Sequence, residues 1–320
     1  MSEGAAPAKK KAKQESNSKE FMIDFLAGGV SGAFAKTCTA PIERVKILIQ
    51  TQDANPRIMS GEVKRYNGIV DCFRRVHQEQ GFGAFWRGNF TNIIRYFPTQ
   101  AFNFAFKETF KKPFPKYNPN TDFGKFFLVN MASGGLAGAA SLCIVYPLDY
   151  ARTRLASDVG QGKDKVFSGL MDCLVKTTKG PKGFFSLYNG FGVSVMGIIP
   201  YRGVYFGMYD SLRTKNPYRS ERGLRGMASK FAIAQFVAIT AGYASYPMDT
   251  IRRRLQMQSE RPPEKWKYKG TVDCFRQILK NEGFNAFFKG AGANAIRTVG
   301  SALVLVLYDE IKVVFTGKQH

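Results

Sequence analysis

YNGIVDCFRR (Tyr66–Arg75) reads as an ordinary amphipathic decapeptide until FSGLMDCLVK (Phe167–Lys176) and YKGTVDCFRQ (Tyr268–Gln277) are set beneath it. Asp71, Asp172 and Asp273 are each followed by a cysteine, and 101 residues separate each Asp from the next. Length alone points to about two domains. A fixed period overrides that prior, because each copy of a repeat is a structural unit that shares its core with its neighbours. The chain of 320 residues therefore divides into a basic tail at 1–20 and three repeats at 21–118, 119–220 and 221–320.

The 47 Lys and Arg against 24 Asp and Glu give a net charge of +23, which calls for an anionic partner: nucleic acid, acidic lipid or a phosphorylated metabolite. The first twenty residues hold five Lys and three Glu with no apolar run, so they read as a disordered tail. They lack both the apolar core of a secretory signal and the Arg-rich pattern of a transit peptide. Five cysteines, Cys38, Cys72, Cys143, Cys173 and Cys274, form no C-x-x-C and read as small packing residues, with no metal and no disulfide expected.

Mean hydropathy is −0.22, a value typical of soluble proteins. Three stretches nevertheless carry no charge: Phe126–Leu148, Gly183–Tyr201 and Phe231–Met248, of 23, 19 and 18 residues. A membrane span takes about 20 apolar residues, so the period turns these three into six helices, near 21–53, 89–112, 124–157, 189–214, 226–258 and 290–314. Short amphipathic helices are expected near 67–78, 169–178 and 271–281. The remaining spans are interrupted by Lys36, Glu43, Arg44, Lys46, Arg95 and Arg297. Charges at that depth face a protein interior or a water-filled path. The fold expected is an all-α membrane protein with six transmembrane helices in three pseudo-threefold repeats around a polar cavity. Gly28 with Gly32 and Gly134 with Gly138 are G-x-x-x-G pairs suited to close helix packing.

Each odd-numbered long helix contains a proline followed by an acid and a base: PIERVK (Pro41–Lys46), PLDYAR (Pro147–Arg152) and PMDTIR (Pro247–Arg252). Proline kinks a helix, and an acid and base three apart lie on one face, so three such helices bring three charges of each sign together. The pattern P-x-[DE]-x-x-[KR] in triplicate resembles the mitochondrial carrier family over residues 21–315. That resemblance implies a matrix-side gate pairing Glu43 with Arg152, Asp149 with Arg252 and Asp249 with Lys46, with Gln50 and Gln256 as braces. It also implies location in the mitochondrial inner membrane, a short matrix helix in each repeat, and function as a monomer.

Two further family marks follow the period. An aromatic-x-Gly ends at Gly68, Gly169 and Gly270, and an aromatic-x-Gly ends again at Gly88, Gly190 and Gly290. In the family these glycines flank cardiolipin phosphates, for which a helix N-terminus is a suitable anion site. The acid that usually precedes the second motif is kept only as Glu282; Gln80 and Lys182 stand in the other repeats, and Asn189 replaces a base. A cytoplasmic gate is implied by Glu108 with Lys111, Asp210 with Arg213, and Asp309 with Lys312; counting from Gly290, the third acid is Asp309 or Glu310.

An asymmetric substrate is recognised where equivalent positions differ. Seven residues beyond Gly88, Gly190 and Gly290 stand Arg95, Gly197 and Arg297, two cations and a gap. Beside the gap come Tyr201, Arg202 and Tyr205, where the first repeat has Thr99, Gln100 and Asn103. On the odd helices only the first repeat adds Lys36, and only the third adds Arg253, which reads as an unpaired surplus cation. Unpaired cations facing an aromatic slot suit a nucleotide. NIIRYFPTQAFNFAFKE (Asn92–Glu108) and IRRRLQM (Ile251–Met257) resemble the branch of the family that exchanges ADP for ATP, which implies substrate contacts at Lys36, Arg95, Asn103, Gly197, Ile198, Tyr201 and Arg297. The alternative is another adenine-nucleotide carrier, of the ATP-Mg/phosphate or coenzyme A type. Charge-free spans weigh against a nucleic-acid-binding protein, and two scattered histidines without a phosphate-binding loop weigh against an enzyme. No cofactor is expected beyond bound cardiolipin.

Overall fold

The computed structural model describes residues 5–115, 117–118, 121–218, 221, 223–259 and 261–316, without the side chains of 5–27, 104, 107, 108, 163, 210 and 307–316. Six long helices are α1 (Ala5–Thr51), α3 (Asn89–Lys111), α4 (Phe123–Ser157), α6 (Phe191–Thr214), α7 (Leu224–Gln256) and α9 (Ala291–Thr316). Three short ones, α2 (Ile69–Gln80), α5 (Leu170–Thr178) and α8 (Thr271–Glu282), sit one in each repeat. The long helices close a ring, α1 packing on α3, α3 on α4, α4 on α6, α6 on α7, α7 on α9 and α9 back on α1.

The recurring decapeptide forms the start of each short helix. Asp71, Asp172 and Asp273 accept hydrogen bonds from the backbone N–H groups of Asn67, Ser168 and Lys269 at 2.9, 2.9 and 2.8 Å. The acid thus caps its own helix in the manner of a capping box. The following Cys72, Cys173 and Cys274 are fully buried. Each packs with Tyr66, Phe167 or Tyr268 against the end of an odd helix, so three equivalent small cores lie at one end of the ring. Burial pushes the Cys72 and Cys274 thiols up to about 12, which makes them inert packing groups. Away from this end, Leu128, Ile144, Ile199, Phe236 and Ile296 are exposed on the outside of the bundle, as lipid-facing side chains are. Among the described residues, only Phe123–Ser157 and Gly183–Thr214 are apolar enough along their length to mark a span by composition. The other long helices carry inward charge.

One expectation about the fold needs correction. The helix α1 begins at Ala5, so residues 5–20, read as a disordered tail, are helical. Their Ala, Lys, Gln and Glu are strong helix formers, a propensity that a reading based on charge passes over. Pro98 and Pro200 occupy equivalent places in the even helices α3 and α6, and both helices continue through them.

Gly190 has φ +84°, and a Cβ there would stand 2.9 Å from the Arg252 carbonyl oxygen. Gly88 and Gly290 meet the Arg152 and Lys46 carbonyls in the same way, at 3.0 Å. The start of each even helix is thus pressed against the backbone of a gate base from the next repeat. Gly190→Ala should destabilise the fold by about 1–3 kcal/mol, read as a lower unfolding temperature in detergent. Gly192→Ala, whose Cβ enters open space, should leave it unchanged or raise it.

Candidate functional site

The three proline-kinked helices converge, and their charges pair between repeats in a closed ring. Arg152 bonds Glu43, Arg252 bonds Asp149, and the Lys46 Nζ lies 3.0 Å from Asp249 Oδ2. All six side chains are largely withdrawn from solvent. Water screening is therefore weak, and each charge depends on its partner.

The three pairs are braced differently. Gln50 donates to Asp249 Oδ2 at 3.2 Å and to Thr250 at 2.9 Å, and the Lys46 ammonium lies 5.0 Å from the Tyr246 ring centre. Arg252 lies over the Tyr146 ring at 5.8 Å, and Gln256 reaches the Tyr146 hydroxyl at 3.1 Å. Gln256 thus acts on the ring beside its pair, while Gln50 touches a pair directly. Tyr146 and Tyr246 immediately precede the gate prolines, whereas the first repeat has Ala40 there. The Glu43–Arg152 pair has Asn92 instead, donating to Glu43 Oε2 at 3.1 Å.

Above the ring is a cavity of about 680 Å³ whose lining includes Lys46, Asp249 and Arg252 at the ring itself. Arg95, Asn103, Gly197, Ile198, Tyr201 and Arg202 line it. Tyr201, Tyr205 and Tyr209 stack successively along α6, with ring centres 6.0 and 5.9 Å apart. Lys36 lies over the Tyr96 ring at 4.9 Å, and Arg297 donates to Asn294 Oδ1 at 3.2 Å. Neither is among the lining residues, although Asn294 is. Arg95 links cavity to gate, with Nη1 3.5 Å from Asp149 Oδ1.

Arg253 is not an unpaired cation. Its Nε lies 3.1 Å from Asp249 Oδ2, its Nη1 donates to Thr153 at 3.3 Å, and the side chain is buried away from the cavity lining. The spacing of four from Asp249 places both on one helix face, a local pairing that comparison between repeats does not reveal. Gly197 also departs from expectation. A Cβ there would meet the Met248 Cβ at 3.2 Å, so the glycine serves close approach of α6 to α7 as well as leaving room in the cavity. The G-x-x-x-G of α4 has a comparable use, since Gly134 and Gly138 make space for the Arg202 guanidinium.

On the other side of the cavity, Lys111 and Arg213 are exposed, while the side chains of Glu108, Asp210, Asp309 and Lys312 lie outside the described residues. Gly68, Gly169 and Gly270 stand at the N-caps of α2, α5 and α8. At the short-helix end, sequence reading misses a cluster centred on buried Asp53. It takes Arg65, Arg254 at 3.2 Å and Lys289 at 2.5 Å, joining the first repeat to the third. Glu282 belongs to the same cluster. Burial pushes its carboxyl up, but hydrogen bonds from Arg254 and Lys289 overcome this and hold it down at about 2. At the places of the missing acids, Gln80 accepts from Arg44 at 2.5 Å and Lys182 lies over the Trp266 ring at 4.5 Å. Asp53 could have been found by the same subtraction, since Val159 and Ser259 stand at its equivalents.

The model of the family described as "Mitochondrial carrier protein" matches three times, over residues 17–118, 124–218 and 224–319. Relatives include the "ADP,ATP carrier protein" of Parachlorella kessleri, 61% identical over 91% of this chain and 84% of its own length. "ADP/ATP translocase 3" of Bos taurus is 55% identical over 91% of this chain and 97% of its own length. "ADP/ATP translocase 4" of Homo sapiens is 52% identical over 97% and 96%.

Two outcomes test the geometry. Gly197→Leu should lower thermal stability by about 1–3 kcal/mol through overpacking, and Met248→Ala should restore part of it; an unchanged Gly197→Leu would place the side chain in open cavity. Glu43→Lys should lower transport at least tenfold, about 1.4 kcal/mol, and adding Arg152→Glu should recover part of it. Absence of recovery in the double variant would argue against this pairing.

Proposed function

The chain belongs to the mitochondrial carrier family, and from that premise we propose that it exchanges ADP for ATP by strict counter-exchange across the mitochondrial inner membrane. The observation that carries this reading is the arrangement of cations: Arg95 and Arg252 both contact Asp149, and both line the cavity. A polyphosphate entering the cavity competes with Asp149 for the same two guanidiniums. As phosphate oxygens take over those bonds, the ring loses one of its three closures and the short-helix end is freed to open. Asn103, Ile198 and the Tyr201 ring offer the base and ribose polar and aromatic contacts. No bond is made or broken, so binding energy drives a change of conformation and nothing else.

Counter-exchange follows from electrostatics. An emptied cavity leaves Arg95, Arg252 and Lys46 facing one another without an anion, which favours their return to Asp149 and Asp249 and closure of the ring. The names of the relatives support ADP and ATP over the ATP-Mg/phosphate or coenzyme A alternatives. A monomer is the functional unit in this reading, because one chain supplies all three pairs of the ring. Cardiolipin is assigned to the glycine-led starts of α2, α5 and α8, whose first backbone N–H groups suit a headgroup phosphate.

Purified protein in liposomes tests the exchange. ADP uptake should occur into vesicles loaded with ADP or ATP and be negligible into empty ones. Sustained uptake into empty vesicles would overturn strict counter-exchange.

A further inference from the structure

A second hollow lies at the end of the bundle opposite the ion-pair ring, between the last turns of α6 and the first turns of α7. Its volume is about 310 Å³ and its lining is Tyr209, Arg213, Asn216, Lys230 and Ile233. It shares none of these residues with the central cavity.

The polar groups offered to this hollow are predominantly donors. Arg213 and Lys230 are exposed, and neither forms an ion pair with a described residue. Asn216 is buried, and its side-chain oxygen is held by two donors, the Tyr218 N–H at 3.0 Å and the Ser229 hydroxyl at 2.9 Å. That fixes the orientation of the carboxamide, leaving its NH₂ as the group still able to bond a ligand. Two cations and a fixed amide donor around one hollow suit an anionic ligand. The Tyr209 ring and Ile233 give the same hollow an apolar wall.

We propose that this hollow is a phosphate-recognition site, taking either the headgroup of an anionic phospholipid or a soluble polyphosphate at the end of the molecule away from the ring. Lys230, seventeen residues before the gate proline Pro247, is the residue that makes it particular.

 Counted strictly from Pro41 and Pro147, the equivalents are Asp24 and Asn130, so only the third repeat places a cation at this level.

The full chain in phosphatidylcholine nanodiscs tests the proposal in two arms. In the lipid arm a minority of phosphatidylglycerol is added and retained lipid is counted by native mass spectrometry; in the soluble arm pyrophosphate is titrated by calorimetry without anionic lipid. Lys230→Gln should weaken binding about tenfold in at least one arm, while Lys230→Arg should match the unaltered protein and both variants keep its unfolding temperature. Loss confined to the lipid arm assigns a headgroup, and loss confined to the soluble arm assigns a free polyphosphate. Binding unchanged in both arms, or lost equally in Lys230→Arg, would overturn the site.

Discussion

Everything in this molecule depends on three ion pairs that no single repeat can complete. Each acid of the proline motif finds its base in another repeat: Glu43 with Arg152, Asp149 with Arg252, Asp249 with Lys46. Breaking one pair leaves two charges in a poorly solvated place, so the ring is stable when whole and responsive to a competing anion. The proline kinks, the glycines pressed against gate carbonyls and the small cores around Cys72, Cys173 and Cys274 all hold the helix ends where these pairs can form. The result is an all-α membrane protein of three repeats whose closed end is also the floor of its binding cavity.

The ring is threefold in connection but not in strength. Gln50 and the Tyr246 ring both support Lys46–Asp249, and Arg253 adds a further bond to the same carboxylate. The Asp53 cluster ties the first repeat to the third at the same end of the molecule. The Glu43–Arg152 pair has no tyrosine beneath it, and beside it Arg44 and Arg87 of the first repeat donate to the Asp158 carbonyl of the second at 2.9 and 3.4 Å. The three interfaces are therefore braced by different chemistry.

The fold was legible because the period is strict. Once Asp71, Asp172 and Asp273 were aligned, three charge-free stretches sufficed to place six helices, five of them within a few residues of their observed bounds. The start of α1 was missed because helix propensity in 5–20 does not register as hydrophobic pattern. At the site, comparison of repeats singles out Arg95, Tyr201 and Arg202, and all three line the cavity. It misjudged Arg253 because that exception is satisfied locally, by an acid four residues away on its own helix. It misjudged Gly197 because a missing side chain looks the same in sequence whether it borders space or Met248. Distances between neighbouring helices, which no periodicity encodes, decide both cases.

The central claim is that nucleotide in the cavity unlocks the ring and separates the short helices. Val70 and Met171 are exposed at equivalent places in the first turns of α2 and α5, which suits them to spin labels through Val70→Cys and Met171→Cys, with the exposed Cys38 and Cys143 replaced. Pulsed electron resonance in liposomes should give one distance in the absence of nucleotide and a second, longer population when ADP is present. A single distance, unmoved by ADP in protein that exchanges nucleotide, would contradict the account.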